Sequence, residues 1–95
     1  MLVLGTVTFY FLIPACRSLK EKRSIIKPFI TRLHREFNIS VAEIDKQDNW
    51  SETVIGCALI SNEKEILQKQ FCQILGFIDK YCKDLQLLEY STNIY

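Results

Sequence analysis

The sequence predicts one α+β domain whose elements follow the order β-α-β-β-α-β. Three observations support this prediction: short segments in which apolar residues alternate, two longer segments in which apolar residues recur at helical spacing, and polar linkers between them. A chain of 95 residues can bury a core of its own without metals or crosslinks. We therefore expect a single domain over residues 1–95.

The first strand is predicted over residues 2–13, LVLGTVTFYFLI, which are rich in β-branched and aromatic types. Pro14 ends the segment. The odd-numbered positions are the more apolar and should face the core: Val3, Val7, Phe9, Phe11 and Ile13. Further strands are predicted over 39–45, 53–60 and 86–94, the last with Leu88, Tyr90 and Ile94 on one side.

The first helix is predicted to begin at Ser18, because Ser18 and Glu21 have the spacing of a capping box. Pro28 lies inside its pattern and is expected to remove one backbone hydrogen bond and kink the helix. Its apolar positions at helical spacing are Leu19, Ile26, Ile30, Leu33 and Phe37.

The second helix is predicted to begin at Asn62, which has Glu65 three residues later. Gly76 inside this helix costs about 1 kcal/mol relative to alanine. We therefore expect a close contact that requires it. The apolar face of this helix contains Ile66, Leu67, Phe71, Ile74, Leu75, Ile78 and Cys82.

Two right-handed crossovers in this element order produce a ferredoxin-like fold, an antiparallel four-stranded sheet with both helices on one face. Strands one and three are then neighbours at the centre of the sheet. Gly5 and Gly56 fall on these two strands, where we expect bulges or close approaches.

Charge is concentrated at the first helix. Arg17–Glu36 contains seven Lys or Arg residues and two acids, a net of +5, whereas the rest of the chain has five bases and nine acids, a net of −4. Such a cluster suits a negatively charged partner. The candidate anion-binding residues are Arg17, Lys20, Lys22, Arg23 and Lys27, with Arg35 at the periphery.

Two other interpretations of these cations remain open. The cluster can be an ordinary solvated face, with Lys22 and Arg32 flanking the apolar stripe and extending their charges to water. Some of the cations can instead pair with Glu43 or Asp45 in the same molecule.

Glu43 and Asp45 are the only pair that suggests acid–base or metal chemistry. Strand alternation places them on one face, about 7 Å apart, and with Asp48 they have the oxygen ligands that a hard cation prefers. No further motif converges on them, so we expect them to stabilise the hairpin or the start of the basic helix. His34, the one histidine, is expected on the helix surface. We predict no catalytic residue, metal or cofactor.

Two aromatic residues are weaker candidates for contact with a partner. Trp50, in the linker between strands two and three, can anchor a partner or fold back over the hairpin, and we favour the second. Tyr10 is expected on the sheet face away from the helices. Because strand three has no aromatic residue, this face lacks the base-stacking pattern of RNA-recognition motifs. We expect it to be a site for homodimerisation or a protein partner.

The four cysteines have no pair at the two-residue spacing of zinc or redox sites. No apolar segment approaches the length of a membrane span, and the first residues lack the basic leader and cleavage site of a signal peptide. We therefore expect reduced thiols in a cytoplasmic protein that does not associate with membranes.

Three segments carry a resemblance to a known family: RSLKEKR (17–23), FNISVAEID (37–45) and QDNW (47–50). With the sequence around them they resemble the YlxP-like family of small bacterial proteins, over nearly the whole chain. The resemblance implies a ferredoxin-like fold and an unknown function, and it brings no catalytic residues. This sequence departs from the family pattern at Pro28 and in its cysteines and aromatics.

Members of that family are often encoded beside genes for translation initiation and ribosome maturation, including ribosome-binding factor A. The resemblance thus implies a role linked to translation. Together with the basic helix, it leads us to expect a non-enzymatic protein that docks on ribosomal RNA or a ribosome precursor. The alternative is a protein-interaction or homo-oligomeric domain that uses the open sheet face and has no nucleic-acid role.

Overall fold

A computed structural model describes residues 1–95 and confirms the predicted element order. The four strands form one antiparallel sheet in the order β2-β3-β1-β4, so β1 and β3 are central as expected. The architecture is a ferredoxin-like α+β fold. Its elements are β1 (Val3–Leu12), α1 (Leu19–Glu36), β2 (Ser40–Asp45), β3 (Glu52–Ser61), α2 (Lys64–Tyr81) and β4 (Gln86–Ile94).

The core lies between the two helices and one face of the sheet. Phe9 and Phe11 of β1 are buried on this face, and their neighbours across the ladder include Ile55 of β3. The alternation predicted for β1 is therefore confirmed. The two helices bury their apolar stripes against this face: Ile26, Phe29 and Leu33 from α1, and Leu67, Phe71, Ile74 and Ile78 from α2.

Gly5 is a point of close approach between β1 and the side chains of α2. A Cβ atom at this position would lie 2.9 Å from Cζ of Phe71 and 3.1 Å from Cδ1 of Leu67. A side chain here would force the Phe71 ring and the Leu67 side chain to shift, because packed interiors have little room for an added methyl group. The expected close approach at Gly5 is thus confirmed.

The details of α2 differ from prediction at two positions. The N-cap is Glu63 rather than Asn62, and no side chain caps the first turn. Gly76 is exposed, and a Cβ atom there would meet nothing within 4 Å. No packing contact therefore requires this glycine, contrary to our expectation.

Helix α1 runs without interruption through Pro28, whose ring lies on the exposed side. Proline lacks the N–H that would bond to the carbonyl of Ser24, and both residues lie on an exposed stretch of the helix. Neither helix combines the length and apolarity needed to cross a membrane.

The two glycines Gly5 and Gly76 provide a matched pair of stability tests. Gly76→Ala should raise the free energy of unfolding by about 1 kcal/mol, because it improves helix propensity at an open position. Gly5→Ala should lower it by about 1–3 kcal/mol through overpacking against Phe71. Urea unfolding followed by circular dichroism measures both, and stabilisation by Gly5→Ala would contradict the packing described here.

Candidate anion-binding surface

The start of α1 is held by the capping interactions that its sequence predicts. Ser18 is the N-cap, and its Oγ accepts a hydrogen bond from the backbone N–H of Glu21 at 3.1 Å. The Glu21 carboxylate reaches back and accepts from the backbone N–H of Arg17 at 2.8 Å. The first bond satisfies an amide that the first turn leaves without a helical partner, and the second ties the residue before the N-cap to that turn. They also determine where the helix, and thus its basic residues, begins.

Five of the six predicted anion-binding residues are exposed. We call this set the cationic face: Arg17, Lys20, Arg23, Lys27 and Arg35. Lys20, Arg23 and Lys27 recur at intervals of three and four, so they follow one side of the helix. None of the five has a carboxylate oxygen within 4.0 Å. His34 is also exposed on α1, as predicted.

Lys22 differs from the other five, and its assignment to an anion-binding surface is wrong. Only 3% of this residue is exposed. Its Nζ donates to the backbone carbonyls of Lys46 at 2.7 Å, Asn49 at 2.6 Å and Glu52 at 2.9 Å. The same Nζ lies 2.8 Å from Oε2 of Glu43, the one salt bridge in the protein. With four oxygens around it, the ammonium cannot reach a partner.

Burial of this charge is tolerated because its surroundings are polar and of opposite sign. An isolated ammonium in a protein interior would cost several kcal/mol, whereas here a carboxylate and three carbonyl dipoles replace the lost water. Glu43 is itself supported, because its Oε2 also accepts a hydrogen bond from the hydroxyl of the buried Thr53. The internal pairing that the sequence left open is therefore realised between Lys22 and Glu43.

The loop between β2 and β3 folds around the Lys22 ammonium. Asn49 organises it, since its Oδ1 accepts from the backbone N–H groups of Ser51 at 2.9 Å and Glu52 at 3.1 Å. Lys46 adopts a positive φ of 63°, an uncommon backbone conformation for a residue other than glycine. The loop is joined to the end of β1 by a bond from Ile13 N–H to the Ser51 carbonyl at 2.8 Å.

The predicted pair of Glu43 and Asp45 is separated by a β-bulge. Glu43 pairs with Ile55 and Asp45 with Val54, which leaves Ile44 as the extra residue. The bulge reverses the alternation, so Glu43 faces α1 whereas Asp45 accepts from the backbone N–H of Lys46 at 2.7 Å. The expectation that both carboxylates share one face is wrong. No group of three or more His, Cys, Asp or Glu side chains is positioned to hold a metal ion.

Asp48 lies beside the cationic face, in a groove that Glu43 also lines. Together with Gln47, Arg23 and Lys27 it lines a shallow groove between α1 and the loop. A carboxylate here reduces the local positive potential. The strongest attraction for an anion is therefore expected at the N-terminal end of α1, where Arg17 and Lys20 lie near the positive end of the helix dipole.

The two aromatic candidates are both accessible. Trp50 is 47% exposed in the loop that Lys22 holds, so it does not fold back completely over the hairpin as we favoured. Tyr10 lies on the sheet face away from the helices, as expected, and is partly exposed.

Arg32 of α1 contacts two aromatic rings of α2. The Arg32 guanidinium lies 5.3 Å from the ring centroid of Phe77 and 4.9 Å from that of Tyr81, and these contacts join α1 to α2.

All four cysteines are free thiols. Burial raises the pKa of Cys57 to about 12, so this thiol stays protonated and unreactive at neutral pH.

The element order and sheet define a ferredoxin-like domain with a basic helix. The chain belongs to a family described as "Protein of unknown function (DUF503)", whose model matches residues 4–92. It is similar to an uncharacterized protein, YlxP, of Bacillus subtilis (strain 168), with 41% identity over 64 residues that cover 67% of this chain and 70% of that protein. These matches confirm the family resemblance seen in the sequence.

Lys22 and Lys20 provide a matched test of the two kinds of cation on α1. Lys22→Met should lower the free energy of unfolding by about 3 kcal/mol, because it leaves the Glu43 carboxylate and three carbonyls without their donor. Lys20→Met removes the same charge from an exposed position and should change stability by no more than about 0.5 kcal/mol. Urea unfolding compares the two, and equal effects would contradict the structural role of Lys22.

Proposed function

We propose that this protein binds RNA, in the form of ribosomal RNA or a ribosome precursor, through the cationic face of α1. The observation that carries the proposal is the set of five exposed Lys and Arg residues without carboxylate partners. Exposed cations that have no carboxylate partner in the protein are available to bind phosphates. When they bind RNA phosphates, counterions condensed on the RNA are released into solution. The family's association with translation genes adds support for an RNA of the ribosome.

The spacing of the cationic face suits a linear polyanion. With a rise of about 1.5 Å per residue, Lys20 and Lys27 are about 10 Å apart along the axis, and Arg35 lies about 12 Å further. Arg17 extends the series beyond the start of the helix. Several phosphates along one strand can therefore be contacted at once, whereas a small anion would use only one or two of these cations.

Recognition is proposed to depend on RNA shape rather than base sequence. The outward residues of β3 (Val54, Gly56, Ala58 and Ile60) contain no aromatic ring, and Tyr10 is the one aromatic on the neighbouring strand's outward side. Stacking of two or three bases on the central strands requires aromatic residues on both. The phosphate contacts of α1 therefore supply the affinity in this proposal.

The proposal is tested by charge reversal and salt. Tagged protein should co-sediment with ribosomal particles from a bacterial lysate at low salt and leave them at high salt. On purified ribosomal RNA, the five cations predict a slope of about −4 for log K against log salt. Arg23→Glu with Lys27→Glu should weaken binding at least about tenfold, a loss of about 1.4 kcal/mol.

The matched control is Lys64→Glu with Lys69→Glu, two exposed residues of α2 that change the net charge equally. This control should bind nearly as well as the wild type. Equal weakening by both pairs would show that only net charge matters, and absence of binding at low salt would refute the proposal.

A second candidate function is docking of a protein partner or a second copy on the open sheet face. It is favoured by apolar side chains that this face leaves uncovered, including Leu4, Ile44 and Ile60, the last 60% exposed. Exposed apolar patches commonly mark interaction surfaces. Association through them would persist at high salt, which separates this candidate from RNA binding.

A further inference from the structure

We propose that the outer edge of β4 pairs with β4 of a second copy of this chain, which would extend the sheet across a two-fold axis. The proposal is independent of RNA binding, because β4 is at the edge of the sheet and the cationic face lies on α1. It also differs from docking on the open sheet face, because it uses backbone groups at the edge.

The backbone of β4 offers regular hydrogen-bonding groups outward. The backbone N–H of Tyr95 donates to the carbonyl of Leu4 at 2.8 Å, so these two residues form a hydrogen-bonded pair of the β1–β4 ladder. Pairs of an antiparallel ladder alternate, so Ser91 and Asn93 also bond to β1. The N–H and C=O groups of Tyr90, Thr92 and Ile94 consequently point away from the sheet.

Beyond its bulge at Leu88, the edge of β4 lacks the usual protection against pairing. Natural edge strands are commonly blocked by lysine, proline, short length or a bulge. From Gln86 to Ile94 the strand contains no Lys, Arg or Pro, and its one charge is Glu89. The register shift opposite Tyr10 and Phe11 leaves Leu88 as the extra residue. Residues 89–94, which follow it, pair with β1 in an unbroken register. The other edge, β2, has six residues, a bulge at Ile44 and two acids.

The side chains of β4 complement those of an antiparallel second copy. When Thr92 lies on the two-fold axis, Thr92 faces Thr92, and Tyr90 faces Ile94 on both sides. Threonine pairs and aromatic–β-branched pairs are among the favourable cross-strand combinations. Tyr90 is 51% exposed and would gain a neighbour. Ser91 would face Asn93 on the other side of the sheet, and Glu89 would not oppose a like charge. In this register Glu89 faces Tyr95, so no two charged side chains oppose each other.

This register also satisfies every outward backbone group of the three residues. Each of Tyr90, Thr92 and Ile94 has one donor and one acceptor, which allows six hydrogen bonds between the two copies. A contact confined to one strand edge belongs to the smaller, reversible interfaces of less than about 1,200 Å². The dimer is therefore expected to form and dissociate with protein concentration.

The test is sedimentation velocity at increasing protein concentration, up to about 1 mM, in high salt. The wild type should shift from monomer toward dimer. Thr92→Pro should remain monomeric, because proline removes an N–H that points outward and leaves the bonds to β1 in place. Thr92→Lys, which places two like charges at the axis, should also remain monomeric. Circular dichroism confirms that each variant is folded.

The matched control is Ile60→Lys, which adds the same charge to the open sheet face and should leave the dimer intact. A wild type that stays monomeric at the highest concentration would overturn the proposal. So would a dimer that persists in both Thr92 variants, and a dimer that only Ile60→Lys dissociates would assign the interface to the open face instead.

Discussion

The ammonium of Lys22 is the interaction on which the arrangement around the first helix depends. It binds the carbonyls of Lys46, Asn49 and Glu52 and the carboxylate of Glu43, and so connects α1 with β2, β3 and the loop between them. Hydrophobic burial has little directionality, so it specifies the position of α1 along the sheet less sharply than a hydrogen-bonded charge does. One buried charge with four oxygen partners favours a single position, since any displacement leaves a charged or polar group without a partner.

The same helix therefore has two faces with different tasks. Lys22 lies on the packed side with Ile26 and Phe29, whereas Lys20, Arg23 and Lys27 project to solvent. The positive charge available to an anionic partner is thus smaller than the sequence count suggests. Lys22 also binds the loop that contains the exposed Trp50. The buried contacts of Lys22 therefore also determine the conformation of the protein surface near the start of α1.

The sequence predicts the fold well and the site only in part. Alternation in β1 and helical spacing in α1 and α2 depend on local geometry, and the structure confirms them. The same spacing could have identified Lys22 as a buried residue, because it precedes Ile26, Phe29 and Leu33 at intervals of four, three and four. Its partners could not be predicted, since three of them are backbone carbonyls, which every residue has. The bulge at Ile44, which separates Glu43 from Asp45, likewise lacks a sequence signal. The close contact predicted at Gly76 is wrong, because a glycine in a helix does not by itself indicate close packing, and here no atom lies near enough to require it.

The most direct test of the central claim is a double-mutant cycle on Lys22 and Glu43, measured by urea unfolding of Lys22→Met, Glu43→Gln and the double variant. If the two charges form one buried unit, the double variant should be less destabilised than the sum of the single variants. The expected coupling free energy is about 1–3 kcal/mol. Additive effects, with a coupling free energy of less than about 0.3 kcal/mol, would contradict the account.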